Sequence, residues 1–267
     1  MAKQERAIRT RNALVESAAE LFDRDGFEVA SLATISARAG VSSGALHFHF
    51  PSKAALADAV VAAAAERLVR ITRERETLPL QALIDASHEL VQGLRSDAVL
   101  RAGFDLSAAP ERTRTARDLR RQWREWVESL VVRAERAGLL APDVAARDVA
   151  AAVVAVAAGH EALGHQDPRW LERAPLTRFW AFLLPRVVGA ARVGLFVASG
   201  DPEAEPAPEP RTATAPLAEP APASAPAPLA EPAPASEPAP AARATEPLPG
   251  PARERAHGPS TGADVRS

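Results

Sequence analysis

The sequence predicts an all-α protein: two helical parts followed by a disordered Pro/Ala-rich tail. Three observations carry this. Apolar residues recur at three- and four-residue spacing from Leu14 to about Val197, broken by Gly and Pro at turn-like intervals. Residues 31–53 set two short helix signals around a single Gly. Residues 200–267 hold 17 of the 24 prolines, a composition that buries too little to offset the entropy of ordering.

In chain order, residues 6–25 read as a first helix with Leu14, Val15, Ala18, Leu21 and Phe22 on one stripe. Gly26 stops it and Phe27 plugs the corner. Ser31 is an N-cap for a short helix with Leu32, Ile35 and Ala39 inward, and Gly40 ends that helix in the left-handed conformation. Val41 fills the turn. Ser42 caps a second short helix with Leu46 and Phe50 inward; Pro51 cannot continue it, and Ser52 caps the next. A long helix is expected from Lys53 to about Glu76, another over 80–96, and a shorter piece from Ala98 to Asp105. A further long helix is expected from Pro110 to Ala137, with Leu119, Trp123, Trp126, Leu130 and Val131 at helical spacing and Gly138 as its stop. An alanine-rich helix starts at Asp143. The last helix runs from about Thr177 to near Val197, with Phe179, Phe182 and Leu183 inward and Pro185 as a kink or restart.

Two short helices joined by a tight Gly turn are a helix-turn-helix, whose second helix lies in a DNA major groove. The outward face of that helix here is small and polar at Ser42, Ser43 and Gly44, which lets backbone approach a groove. His47 and His49 are donors on it, Thr34 stands on the preceding helix, and Lys53 opens the following one, where it could help hold a phosphate. These seven residues form the expected DNA-contacting set. Charge distribution agrees. The chain carries −2 overall, but residues 201–267 hold ten acids and five arginines, a net of −5, which leaves +3 on residues 1–200. Lys3, Arg6, Arg9 and Arg11 against Glu5 make a basic arm of +3 beside the motif.

Over residues 6–60 the chain resembles the N-terminal domain of the TetR family of bacterial repressors. Gly-Ala-Leu-His-Phe-His-Phe-Pro-Ser-Lys, Gly44 to Lys53, is most similar to the gamma-butyrolactone autoregulator receptors within it. Two positions depart from the family: Ser43 stands where Lys is usual and His47 where Tyr is usual, and both positions normally touch DNA. The resemblance implies a DNA-binding head over 1–53, a helical ligand-binding and dimerisation body over 54–199, and a disordered tail over 200–267. It implies a homodimer on double-stranded operator DNA, released by a small-molecule effector of butyrolactone type. Receptors of that type carry a pocket-lining Trp in the helix that holds Trp126 and Trp123, so Trp126 first and Trp123 second are the expected ligand residues, with His88 and Phe104 as further pocket candidates. The last two body helices are the expected dimer surface. A regulator sensing another small molecule, such as an antibiotic or its intermediate, is the alternative; an interaction protein acting through the Pro-rich tail is a remoter one.

Other chemistries find little support. Absence of cysteine removes disulfides, thiol nucleophiles and cysteine-ligated zinc. His160 and His165 are five residues apart rather than four, so their rings diverge on a helix and no metal site is expected. There is no Gly-x-Ser-x-Gly elbow and no phosphate-cradling Gly loop. Neither an enzyme nor a cofactor is expected. The charged N-terminus leads into no apolar signal segment, and Val149 to Gly159 is too short to span a bilayer, so a cytoplasmic protein, nucleoid-associated when bound to DNA, is expected. Leu-Ala-Glu-Pro-Ala-Pro-Ala-Ser occurs at 217–224 and 229–236, a repeat too short and polar for a solenoid.

Overall fold

A computed structural model describes residues 2–108 and 118–200, with side chains from Gln4 onward. The side chain of Lys3, the expected helix start at Pro110 and the expected disordered tail from 201 onward lie outside the described residues. The chain divides into two units, Met1–Arg211 and Thr212–Ser267, and all the described residues belong to the first.

Every regular element among the described residues is helical. α1 runs Ala2–Asp25, α2 Leu32–Arg38, α3 Ser43–His49 and α4 Lys53–Ile71. α5 follows at Pro79–Ser96, α6 at Ala98–Ala108, α7 at Leu119–Arg136, α8 at Ala146–Gly164 and α9 at Arg173–Val187. Short 3-10 turns occupy Pro168–Leu171 and Ala190–Leu195. α1 begins four residues earlier than expected, because nothing in its first turn breaks a helix, so the basic residues of the arm stand on helical turns.

Three serine caps and two glycine turns set the first four helices. The hydroxyls of Ser31, Ser42 and Ser52 accept the amides of Thr34, Ala45 and Ala55 at 3.1, 3.2 and 3.1 Å. α2 closes with a paired cap. Gly40 N–H donates to the carbonyl of Ala37 and Val41 N–H to that of Ser36, with Gly40 at φ +67°. α7 closes the same way through Gly138 and Leu139.

Later boundaries differ from expectation. α4 ends at Ile71, five residues short of Glu76, where the Thr72 hydroxyl bonds the Leu68 carbonyl and the charged run beyond has no apolar anchor. α8 starts at Ala146 rather than Asp143, since Val144 N–H turns back to Ala141. α9 starts at Arg173 and stops at Val187, with Gly189 at φ +78° beyond it; Pro185 sits inside the helix. The face of α9 also differs. Leu176, Trp180, Leu184 and Val187 take the core, while Phe182 is 74% exposed.

The core is continuous from α1 through α9. Its tightest helix contact joins α4 and α6, where a Cβ added to Gly103 would lie 2.2 Å from the Cβ of Ala64. Ion pairs bind α1 to the same region. The Arg101 guanidinium grips the Asp23 carboxylate with two bonds of 2.9 and 2.8 Å, and Arg67 on α4 bridges Glu16 of α1 and Asp97. No helix of the described residues is long and apolar enough to cross a membrane.

Candidate nucleic-acid interface and ligand cleft

α3 is only seven residues long and holds its place through two anchors. Leu46 and Phe50, one turn apart, are 1% and 3% exposed. With these two buried, the opposite side of the helix faces solvent. Ser42, Ser43, Gly44 and His47 are exposed, and so is Thr34 on α2. Gly44 has no neighbour closer than the Ser42 hydroxyl, 4.0 Å from where a Cβ would stand. His49 is half-buried between the rings of Phe48 and Phe50. Arg11 of α1 lies over the Phe50 ring at 5.3 Å, so a basic residue of the first helix borders α3.

One exposed residue is absent from the expected set. Phe48, in the last turn of α3, is 84% exposed. The sequence does carry a signal for it: Phe48 lies two residues from both Leu46 and Phe50, which puts it about 200° around the helix from each. Its ring has no core to enter and stands in solvent on the same helix as the small polar face.

Lys53 is placed otherwise than expected. Its ammonium donates to the carbonyls of Phe27, Glu28 and Ala30 at 2.8, 3.1 and 3.1 Å and sits 4.4 Å from the centre of the Phe27 ring. All three ammonium hydrogens thus have acceptors within the chain, and none remains for a phosphate. Lys53 ties the start of α4 to the loop before α2, and so fixes the entry to the helix-turn-helix.

The body holds a cleft of about 170 Å³ between the α4–α5 loop and α7. Trp126 forms part of its wall, with Leu130 and Arg133 from the same helix and Arg73 and Arg75 from the loop. Trp123 stands behind Trp126, ring centres 5.2 Å apart and planes tilted by 32°. It is 3% exposed, and its indole N–H has no acceptor among the described residues. A buried donor left unpaired is costly and invites an oxygen.

His88 and Phe104 do not join them. The His88 ring donates from Nε2 to the Ala198 carbonyl at 3.0 Å, beneath the segment that leaves α9. Burial holds its pKa below the ordinary value. Phe104 is 3% exposed, with the Arg120 guanidinium 5.9 Å from its ring centre and bonded to its carbonyl at 3.1 Å. Neither lines the cleft: His88 faces the segment after Leu195, and Phe104 lies against Arg120 near the start of α7. His160 and His165 have separate partners too: the Trp170 carbonyl at 2.6 Å for one, the Asp105 carboxylate at 3.3 Å for the other. Glu161 pairs with Arg120, yet burial still raises its pKa.

Residues 14–60 match the model of bacterial regulatory proteins of the tetR family. The A-factor receptor protein of Streptomyces griseus is 42% identical over 107 residues, which spans 40% of this chain but only 38% of that receptor. Two solved structures align much further. A gamma-butyrolactone receptor described as an ArpA-like protein is 31% identical, with a TM-score of 0.61 over 71% of this chain and 96% of that one. The TetR-family protein CprB of Streptomyces coelicolor, solved with its biological operator sequence, is 31% identical, with a TM-score of 0.60 over 71% of this chain and 93% of that one.

Proposed function

This chain belongs to the TetR family of bacterial regulatory proteins, and we propose that it is a ligand-released repressor of the gamma-butyrolactone-receptor type. One observation carries the reading: α3 is pinned by two buried residues while its small polar face and Phe48 stand in solvent. A helix so mounted can enter a major groove as a rigid body. Ser42, Ser43, Gly44, His47 and His49 are the proposed contacts on it, with Thr34 alongside on α2. Phe48 joins them as an apolar group suited to a thymine methyl. Lys53 is assigned an indirect part, holding the motif's entry loop.

A two-fold dimer offers two such helices to half-sites about one helical turn apart, ~34–36 Å, or a multiple of it. α8 and α9 supply a suitable surface, since Ala151, Ala155, Ala158 and Ala162 form one exposed small-residue row and Phe182 projects from α9. In this reading residues 1–53 are the head, 54–199 the sensing and dimerising body, and 200–267 a tail that repression does not need. The protein works in the cytoplasm, on the chromosome when bound to its operator.

The effector is proposed to lodge against Trp126, with Trp123 behind it, where the flat apolar wall suits a lactone ring with an acyl chain. α4 runs from Lys53 to the loop that borders this cleft, and Arg101–Asp23 and Arg67–Glu16 tie α1 to the same helices. A ligand that prefers one setting of α4 therefore biases the spacing of the heads, and lowers DNA affinity only as far as that preference reaches. The arginines of the cleft favour a second reading, an acidic effector in place of a lactone.

Gly44→Glu tests the groove placement. The site is open, so the fold accommodates the side chain, while its bulk and charge oppose a phosphate-lined groove. Loss of operator binding in a gel-shift assay at fixed salt, with dimer and helix content retained, is the expected result. Unchanged affinity would sink the assignment of α3.

A further inference from the structure

We propose that His165 is a proton-operated clasp: with a proton on both ring nitrogens it holds α6 to the end of α8, and so biases the seating of α6 against the helices that carry the DNA-binding head. The effect on the head rests on the reading that α3 binds operator DNA; the clasp itself does not.

His165 is the C-cap of α8, and its backbone N–H turns to the Leu163 carbonyl. The ring takes up the Glu161 carbonyl instead, with Nδ1 at 3.0 Å from it. Nε2 stands 3.3 Å from Asp105 Oδ2 on α6. Both ring nitrogens therefore face an oxygen that can only accept. A neutral imidazole has one N–H and a lone pair on its other nitrogen, so it serves one of these oxygens and opposes the other. The imidazolium serves both. The end of a helix favours a cation as well. The Glu161 carbonyl first, and then the Asp105 carboxylate, hold the ring's pKa above the ordinary histidine value, against the opposing effect of partial burial.

The charges around the ring leave Asp105 to it. Arg101, one turn earlier on α6, grips Asp23 of α1 with two bonds. Arg120 of α7 bonds the Glu161 carboxylate and the Phe104 carbonyl. Asp167, two residues on, is paired with Arg169. Asp105, Asp23 and Glu161 thus face two guanidinium groups, Arg101 and Arg120, and the proton on His165 answers the third carboxylate. The side chains of His165 and Asp105 are 39% and 48% exposed, so the contact is a bias and not a lock.

α6 is the helix on which a bias tells. Gly103 seats it on Ala64 of α4, and Arg101 ties it to α1, while the clasp joins its far end to α8. Loss of the proton leaves α6 held to the head's helices and released from α8. Because the folded pKa is raised, the stabilisation is fully present below the unfolded value and is lost as pH rises through the folded one. Alkaline shift should therefore loosen the ligand-free seating and weaken operator binding.

The test uses the full-length dimer and a double-stranded operator fragment that it selects from random DNA. Histidine ring resonances are followed by NMR from about pH 5.5 to 9, with His165 assigned by its absence from His165→Gln. The ring should titrate above the ordinary value of about 6.5, and Asp105→Asn should bring it down toward that value. Operator affinity is read by fluorescence anisotropy at fixed ionic strength. The affinity of wild type relative to His165→Gln should fall about threefold or more between about pH 6 and 8.5, within the limit of about tenfold per pH unit that one linked proton allows. Taking the ratio cancels His47 and His49 on α3, which both proteins share. A His165 ring that titrates at or below the ordinary value, one indifferent to Asp105→Asn, or an affinity ratio that does not move with pH overturns the proposal. A wild type that selects no DNA at all overturns the repressor reading instead, and the ring titration then decides the clasp by itself.

Discussion

Single side chains carry two roles that can be tested in isolation. Lys53 gives three hydrogen bonds to the loop that precedes α2. Lys53→Met should therefore cost about 2 kcal/mol of stability, as charged-donor bonds are lost and carbonyls are left to water. Because the ammonium is not free for DNA, the slope of log operator affinity against log salt should stay as it was. A phosphate clamp would instead lower that slope by about 1 at unchanged stability, and this result would return Lys53 to the DNA surface. Its acceptors lie 23 to 26 residues earlier, so nothing local in the sequence announced them. By contrast Ser31, Ser42 and Ser52 were legible, since a cap bonds an amide only three residues on. His88 is a second long-range case, joined to Ala198 across 110 residues. Its pKa is lowered by burial, so the folded state favours the neutral ring. This stability is therefore present above the unfolded pKa, about 6.5, and is lost as pH falls through the lower folded value. The thermal midpoint should drop on acidification below about pH 6.5. His88→Gln, which keeps a donor for the Ala198 carbonyl but cannot take up a proton, should flatten that drop; an unaltered pH profile would show that other groups govern it.

Helices and their crossings form the next scale, and here the sequence was legible in part. The stripes of α1 and α7 were readable because their anchors repeat turn after turn: Leu14, Ala18 and Leu21 in one, Leu119, Trp123, Leu130 and Val131 in the other. α9 was misread because two apolar stripes overlap in it. Trp180 and Leu184 take the core, Phe179 and Leu183 pack against its edge, and Phe182 is left in solvent; only packing partners decide such a contest, and the Trp180 indole bonds the Ser87 hydroxyl of α5 at 2.9 Å. Which helices touch was not legible, since no local pattern records that α6 lies against α4. Gly103 makes that crossing possible. Gly103→Ala would press a methyl to within 2.2 Å of the Ala64 methyl, in helices held together by a continuous core. The helices must separate or the core must strain, at about 1–3 kcal/mol. The same change alters the seat of α4, so operator affinity or its response to ligand should shift along with stability. A Gly103→Ala protein with an unchanged unfolding midpoint would mean that α4 and α6 slide freely, and the proposed transmission through α4 would lose its support.

Across the whole molecule the question is whether sensing and DNA binding are separable. Trp126 and the α3 face are joined through the core and through α4, yet they share no residue, and α3 takes its position from Leu46, Phe50 and the Lys53 tether. Truncating Trp126 removes a half-buried wall of the cleft and exposes the ring of Trp123 behind it. Some stability goes with it, though less than for a fully buried Trp, where about 3–5 kcal/mol is usual. The head has no contact to lose. Trp126→Ala should therefore bind operator with near wild-type affinity and dimerise normally. Its complex should resist release by the small molecule that frees the wild type, whether a synthetic gamma-butyrolactone or an organic acid. Linkage requires the converse as well: if ligand weakens DNA binding, operator DNA must weaken ligand binding by the same factor, and that factor should collapse toward one in the variant. Titrating ligand with and without operator fragment measures it directly. A folded, dimeric Trp126→Ala protein that no longer bound operator would show that the cleft wall shapes the head even without ligand. Normal release would instead make Trp126 a bystander and leave Trp123, with its unanswered indole N–H, as the residue to truncate next.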